Sequence, residues 1–164
     1  MIRGKVWKYG DHVNTDLIIP GRYLDDYNVQ NLAAHAMEDI DPSFARSVQP
    51  GDVIVAGRNF GCGSSREQAP LALKAAGVGA VIAGSAARIF YRNAINVGLP
   101  IIVCAEAPRI LENADTVEID FSEGTIRNAR DGACVRFTPP PEFLLEILES
   151  GGLVPYMKRK LAGP

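Results

Sequence analysis

Val53-Ile54-Val55-Ala56-Gly57, Ala80-Val81-Ile82-Ala83-Gly84 and Ile101-Ile102-Val103-Cys104 are three short apolar runs, and the reading of residues 51–104 around them decides the fold. Pro50-Gly51-Asp52 precedes the first run, Gly77 and Gly79 precede the second, and Gly98-Leu99-Pro100 precedes the third. A continuous apolar run bounded by such turn signals fits a strand buried on both faces. Between the runs, Ala69 to Ala76 favours helix, and a second helix is expected from Ser85 to about Asn96. Strand, helix, strand, helix, strand is the order of parallel strands joined by crossover helices.

Toward the N-terminus, Val6-Trp7-Lys8-Tyr9 reads as a strand from its aromatic and β-branched content. Asp11 to Arg22 reads as loop, broken by Asn14, Pro20 and Gly21. Val29 to Ile40 carries Leu32, Ala33, Ala36, Met37 and Ile40 at helical spacing. Toward the C-terminus the pattern changes. Thr116 to Asp120 alternates polar and apolar, Glu123-Gly124 and Asp131-Gly132 are turns, and Thr125-Ile126-Arg127 and Cys134-Val135-Arg136-Phe137 follow them. These are expected to be antiparallel strands with one solvated face. Pro139-Pro140-Pro141 leads into a helix with the face Phe143, Leu144, Ile147 and Leu148, and a short helix near Leu153 to Leu161 closes the chain. Without internal repeats, residues 1–164 are expected to form a single α/β domain with a β-rich flank.

A net charge of −2 argues against nucleic acid as a partner, since a phosphate-binding face needs a cationic excess. Lys158-Arg159-Lys160 fits a solvated helix end. No apolar run approaches the roughly 20 residues of a membrane helix. Met1-Ile2-Arg3-Gly4-Lys5 lacks the apolar stretch of a signal peptide, so no membrane association and a cytoplasmic location are expected. Cys62, Cys104 and Cys134 are odd in number, widely spaced and outside any C-x-x-C pattern. Neither a disulfide framework nor a metal site is expected from them.

The chemistry concentrates in Asn59-Phe60-Gly61-Cys62-Gly63-Ser64-Ser65-Arg66-Glu67, between a strand and a helix. Gly61 and Gly63 let the backbone approach a ligand closely. Ser64 falls where a helix is expected to begin, and free amides and the helix dipole favour an anion there. Arg66 adds a permanently charged fork suited to a carboxylate. A serine hydroxyl in such surroundings is a candidate base toward a carbon-bound proton. The plainer reading is that Ser64-Ser65-Arg66-Glu67 is an S-x-x-E capping box. Both readings can hold together. The phosphate-loop, dinucleotide and G-x-S-x-G patterns are absent. Cys62 reads as a passive small residue or an activated thiol.

Two further clusters stand out. Asn14 to Leu24, with Thr15, Asp16, Arg22 and Tyr23, is either a surface loop or part of a polar pocket. Arg88 and Arg92 lie one helical turn apart and either bind carboxylates or pair with acids. His12 and His35 have no obvious partner and read as structural.

Thr15-Asp16-x-Ile18-x-Pro20-Gly21-Arg22-Tyr23-Leu24, Gly57 to Glu67, and Ala87-Arg88-Ile89-Phe90-Tyr91-Arg92-Asn93-Ala94-Ile95-Asn96-Val97-Gly98-Leu99-Pro100 together resemble the aconitase swivel-domain family. Within it they are most similar to small subunits of 3-isopropylmalate dehydratase, and the likeness runs from about residue 1 to 155. The resemblance implies a swivelling β/β/α three-layer domain that docks on a large subunit as a heterodimer or heterotetramer. The implied [4Fe-4S] cluster sits on that large subunit, with no cofactor bound by this chain.

The implied reaction isomerises 2-isopropylmalate and 3-isopropylmalate by loss and return of water, in leucine biosynthesis. Ser64 is implied as the base, Arg66 as the carboxylate anchor, and Ser65 as an aid through its amide or hydroxyl. Thr15, Asp16, Gly63 and the specificity loop Arg22-Tyr23-Leu24-Asp25 are implied at the dicarboxylate substrate. Homoaconitase-like members carry arginine after Tyr-Leu. Asp25 and Asp26 here would repel a third carboxylate, which disfavours homoaconitate and keeps a methylated malate open. Gln68 stands where many relatives carry histidine. The rival reading is a non-catalytic anion-binding module built on Gly61 to Ser65.

Overall fold

The structure, a computed structural model, describes residues 1–25 and 28–163. The chain starts with β1 (Ile2–Lys8), turns through α1 (Thr15–Ile18) and a 3₁₀ turn at Gly21–Tyr23, and continues through α2 (Val29–Ala34) and α3 (Phe44–Ser47). The crossover region is β2 (Val53–Ala56), α4 (Gln68–Ala76), β3 (Ala80–Ala83), α5 (Arg88–Val97) and β4 (Ile101–Val103). After α6 (Ala107–Ile110) come β5 (Thr116–Asp120), β6 (Thr125–Asn128) and β7 (Cys134–Arg136), then α7 (Glu142–Glu149) and α8 (Leu153–Ala162).

The strand order is β4-β3-β2-β1-β5-β6-β7. β1 to β4 are parallel, and β1 meets β5 antiparallel. One strand therefore serves two half-sheets. Ile2 to Lys5 pair with β5 (Ile2 with Ile119, Lys5 with Thr116), and Val6 to Lys8 pair with β2 (Val6 with Val53).

Side-chain alternation explains the layers. Trp7, Ile54, Ala56, Val81 and Ala83 face one way and pack with Ile18, Leu32, Phe44, Leu73 and Phe90 from the helical side. Val6, Val53, Val55, Ala80 and Ile82 face the other way and meet Val117, Ile119 and Ile126 from the antiparallel half. The sheet thus curls until its two halves face each other, with helices outside the parallel half. This is the expected β/β/α arrangement, and strands buried on both faces explain why β2 and β3 are apolar throughout. No helix among the described residues is long and apolar enough to cross a membrane.

Several boundaries differ from the sequence reading. The first strand starts at Ile2 rather than Val6, because exposed Arg3 and Lys5 belong to the half paired with β5. The helix expected over Val29 to Ile40 ends at Ala34, because Met37 takes φ +61° and gives its N–H to the Ile18 carbonyl at 2.8 Å. The segment expected as plain loop contains α1, capped by Asn14, whose side chain accepts from the Leu17 amide. The helix expected from Ser85 starts at Arg88, because Ser85 accepts the Asn59 amide on Oγ and the Phe60 amide on its carbonyl.

Candidate active site

In open α/β sheets, ligands bind beyond the carboxyl ends of parallel strands. Here the loops leaving β1, β2 and β3 converge at that edge and continue the sheet's pairing by backbone bonds. The His12 amide donates to the Arg58 carbonyl (2.8 Å), Gly61 to Val13 (2.7 Å) and Thr15 to Cys62 (2.9 Å). On the other side, Phe60 donates to Ser85 (3.0 Å) and Ala87 to Phe60 (2.9 Å). The middle loop is therefore held from both flanks.

Gly61 is required twice over. Its φ is +77°, and an added Cβ would collide with the Phe90 ring and with Phe90 Cβ. Gly63, at φ +99°, turns the chain outward again and leaves Ser64 and Ser65 exposed.

The capping-box reading is overturned. α4 begins at Gln68, four residues after Ser64, and Glu67 at its N-cap makes no side-chain cap bond. Pro70 supplies the reason. It has no N–H and tolerates only the first turn of a helix, whereas a helix starting at Ser64 would place it in the interior. The serine turn is thus an open loop shaped by glycines.

These residues wall a cavity of about 310 Å³, lined on one side by Thr15, Gly63, Ser64, Ser65 and Arg66, and on the other by Arg88, Ile89, Phe90 and Asn93. Thr15 is buried, and its Oγ1 donates to the Ser64 carbonyl at 2.9 Å, which fixes the serine backbone. The Arg66 side chain is 20% exposed. Its Nη1 donates to Asp16 Oδ1 at 2.9 Å and to the Ile19 carbonyl at 3.3 Å. Asp16 also accepts the Gly21 amide at 3.1 Å. The Arg66 hydrogen bond, aided by that amide, lowers the Asp16 carboxyl below its ordinary pKa. Asp16 thus anchors the guanidinium at the cavity wall.

The helix end at the cavity is that of α5. Its N-cap is Ala87, which has no side chain to satisfy the first amides, and no acid occupies its first turn. Arg88 forms no ion pair among the described residues. An anion entering the cavity would meet Arg66, Arg88 and the positive end of a ten-residue helix. A hydroxyl in such a field ionises more readily than in water, because its anionic form is stabilised, and the alkoxide is the form that can accept a proton.

Thr15, Asp16, Gly63, Ser64, Ser65 and Arg66 are brought together around this turn. Arg22, Tyr23, Leu24 and Asp25 are on the adjacent turn and do not line the cavity. The Arg22 guanidinium bonds Glu38 (2.7 Å) and Asp39 (2.9 Å) and lies over the Tyr23 ring. Tyr23 donates to Glu38 at 2.7 Å and stacks on His35 at 3.9 Å. That cluster, led by the Tyr23 bond, holds the Glu38 carboxyl down at about 2. Leu24 packs on the helical-side core, Asp25 is exposed, and Asp26 lies outside the described residues. His12 makes a 3.2 Å contact with Asn59, and the half-buried Cys62 accepts the Thr15 amide on its carbonyl.

Arg88, left open by the sequence between binding and pairing, lines the cavity. The sequence signal was an expected helix, Ser85 to Asn96, that carries two arginines and no acid to pair with them.

Comparisons agree with this architecture. The model of the aconitase C-terminal domain matches residues 10–106, which include all three loops. A 3-isopropylmalate dehydratase small subunit from Ruminiclostridium cellulolyticum is 54% identical over 160 residues, covering 98% of either chain. An isopropylmalate/citramalate isomerase small subunit from Methanocaldococcus jannaschii is 52% identical over 162 residues, covering 99% of this chain and 96% of that one. A crystal structure of 3-isopropylmalate dehydratase from Methanocaldococcus jannaschii superposes with a TM-score of 0.93 at 48% identity, over 98% of this chain and 95% of that one.

Proposed function

The chain belongs to the aconitase C-terminal domain family, and from that premise we propose that it is the small subunit of a hydro-lyase of the 3-isopropylmalate dehydratase type. It interconverts 2-isopropylmalate and 3-isopropylmalate by dehydration and rehydration, a step of leucine biosynthesis. The observation that carries this reading is the joint presentation of Ser64 and Arg66 at one open, glycine-flanked turn on a shared cavity.

Arg66, braced by Asp16, holds a substrate carboxylate through its remaining donors. Ser64, as its alkoxide, takes the proton from the carbon beside a carboxylate and becomes the neutral hydroxyl, and Ser65 contributes its amide or hydroxyl to the same anion. On rehydration Ser64 returns the proton. Gly63 and Thr15 set the serine's position. The reacting hydroxyl must leave as well, which calls for a Lewis acid. Among the described residues no three His, Cys, Asp or Glu converge, and the three cysteines differ in setting, from half-buried Cys62 to buried Cys104 and exposed Cys134. These residues do not fit an iron–sulfur cluster. The [4Fe-4S] cluster, which supplies Lewis acidity toward that hydroxyl, is assigned to the large subunit. Residues 1–164 act as one swivelling unit against it, in a heterodimer or heterotetramer. The sharing of β1 between both half-sheets supports that unity.

The test is reconstitution. The purified chain alone is expected to show no turnover, and activity is expected on adding cluster-loaded large subunit. Ser64→Ala is expected to remove that activity without preventing assembly. Full rate in that variant refutes Ser64 as base. An active chain without the large subunit, or ligand binding without any turnover in the complex, favours the anion-binding module instead.

A second reading of the substrate, a methylated malate, draws support from the isopropylmalate/citramalate relative. Competing both alkyl-malates in the reconstituted complex decides between them. Asp25, exposed on the turn beside the cavity, disfavours a substrate with a third carboxylate.

A further inference from the structure

We propose that Arg88 is a second carboxylate-binding residue of this site, serving substrate capture rather than the proton step. The proposal rests on the cavity being the active site as read above.

Arg88 occupies a position that helix energetics disfavour. A cation in the first turn meets the positive end of the dipole, at a cost of about 0.3–1 kcal/mol. Natural helices offset such a charge with Asp or Glu nearby or a capping side chain, and α5 has neither. Arg88 is exposed, lines the cavity, and forms no ion pair among the described residues. The other arginine of the cavity, Arg66, already has Asp16 as counter-ion. Two arginines thus line one cavity, and among the described residues Asp16 is the acid that ion-pairs with either of them. Local rules broken without an internal compensation mark a site completed by a ligand.

The ligand class follows from two arginines lining one cavity. Arg66 belongs to the loop that carries Ser64, and Arg88 to α5, so two separate elements each bring one arginine to the cavity that Ser64 lines. A dicarboxylate with its reacting carbon between its two acid groups fits that arrangement. One carboxylate meets Arg66, and the other meets Arg88 together with the open amides of the first turn of α5. Ile89, 54% exposed beside Arg88, leaves an apolar surface for the alkyl branch.

The test compares Arg88→Gln with Arg92→Gln in the complex with cluster-loaded large subunit. Both variants remove one exposed positive charge from α5, but Arg92 does not line the cavity. Arg88→Gln is expected to raise KM about tenfold, as the loss of a charge-assisted hydrogen bond would, and to change kcat by less than about threefold. The rise of KM with salt is expected to flatten in the same variant. Calorimetric titration of the complex with malate is expected to show the same tenfold weakening, independent of turnover. Arg92→Gln is expected to match the parent. Equal effects from both variants, or weakened subunit association with an unchanged KM, overturn the proposal. Ser64→Ala, assayed alongside, separates the two claims. If it stays active the active-site reading fails, whereas inactivity of Ser64→Ala with a normal KM in Arg88→Gln sinks this inference alone.

Discussion

Thr15→Val replaces a hydroxyl with a methyl group at nearly constant volume in a buried position. The Thr15 amide still reaches the Cys62 carbonyl, so the first loop keeps its path. What disappears is the 2.9 Å bond from Oγ1 to the Ser64 carbonyl. Such a bond contributes about 0.5–1.5 kcal/mol net, and stranding its partner costs about 1–3 kcal/mol; since Ser64 reaches solvent, water can replace the donor and about 1 kcal/mol is the working figure. In a chain of this size that lowers Tm by roughly 2–4 °C.

The effect on rate is expected to be disproportionate. Without the tether the serine backbone can drift, and a displacement of about 1 Å costs up to about 100-fold in a positioned reaction. The assay is a thermal melt of the isolated chain together with kcat in the reconstituted complex. The expected pair of results is a small drop in Tm and a kcat about 10- to 100-fold lower. Thr15→Ser keeps the hydroxyl and is expected to restore most of the rate. A kcat within twofold of the parent, despite the lowered Tm, would show that Thr15 does not position Ser64.

Two further outcomes follow from described contacts. Gly61→Ala forces a side chain into φ +77° and against Phe90. Backbone strain of about 1–3 kcal/mol and overpacking of about 1–3 kcal/mol add up to a severe loss, expected as a clearly earlier urea midpoint. An unchanged midpoint would mean that the loop relaxes freely. Asp115 is buried, and its bond to Arg130, helped by the Glu112 amide, lowers its pKa from 3.8 to about 2. A depressed carboxyl stabilises the fold above its unfolded pKa, and this contribution is lost as pH falls from about 4 toward 2. Urea titrations across that window are expected to show the loss, and Arg130→Gln is expected to reduce it. A slope unaltered in that variant contradicts the assignment.

The parallel half of the fold was legible because β2, β3 and β4 are buried and punctuated by Gly and Pro. The three four-residue helices α1, α3 and α6 were not, since one turn carries no periodicity. The N-terminal half of β1 was hidden because its partner strand is more than a hundred residues away. Within the site, Gly61 to Arg66 announced itself by residue type. Its reading as a helix cap failed because a local pattern was weighed without Pro70, which moves the helix start to Gln68. The approach of Arg88 to the serine turn depends on strand order, which sets the β2 and β3 loops side by side, and no local spacing encodes that.

The double duty of β1 bears on how the polypeptide acquires its shape during synthesis. Its second half can zip onto β2 once residues 53–56 have been made, but its first half must wait for β5. Until the ribosome has released residues 116–120, the edge from Ile2 to Lys5 stays unsatisfied, with Arg3 and Lys5 discouraging mispairing between nascent chains. β1 precedes both of its partner strands yet is among the last to be completed, and closure of the curled sheet is a late event in maturation.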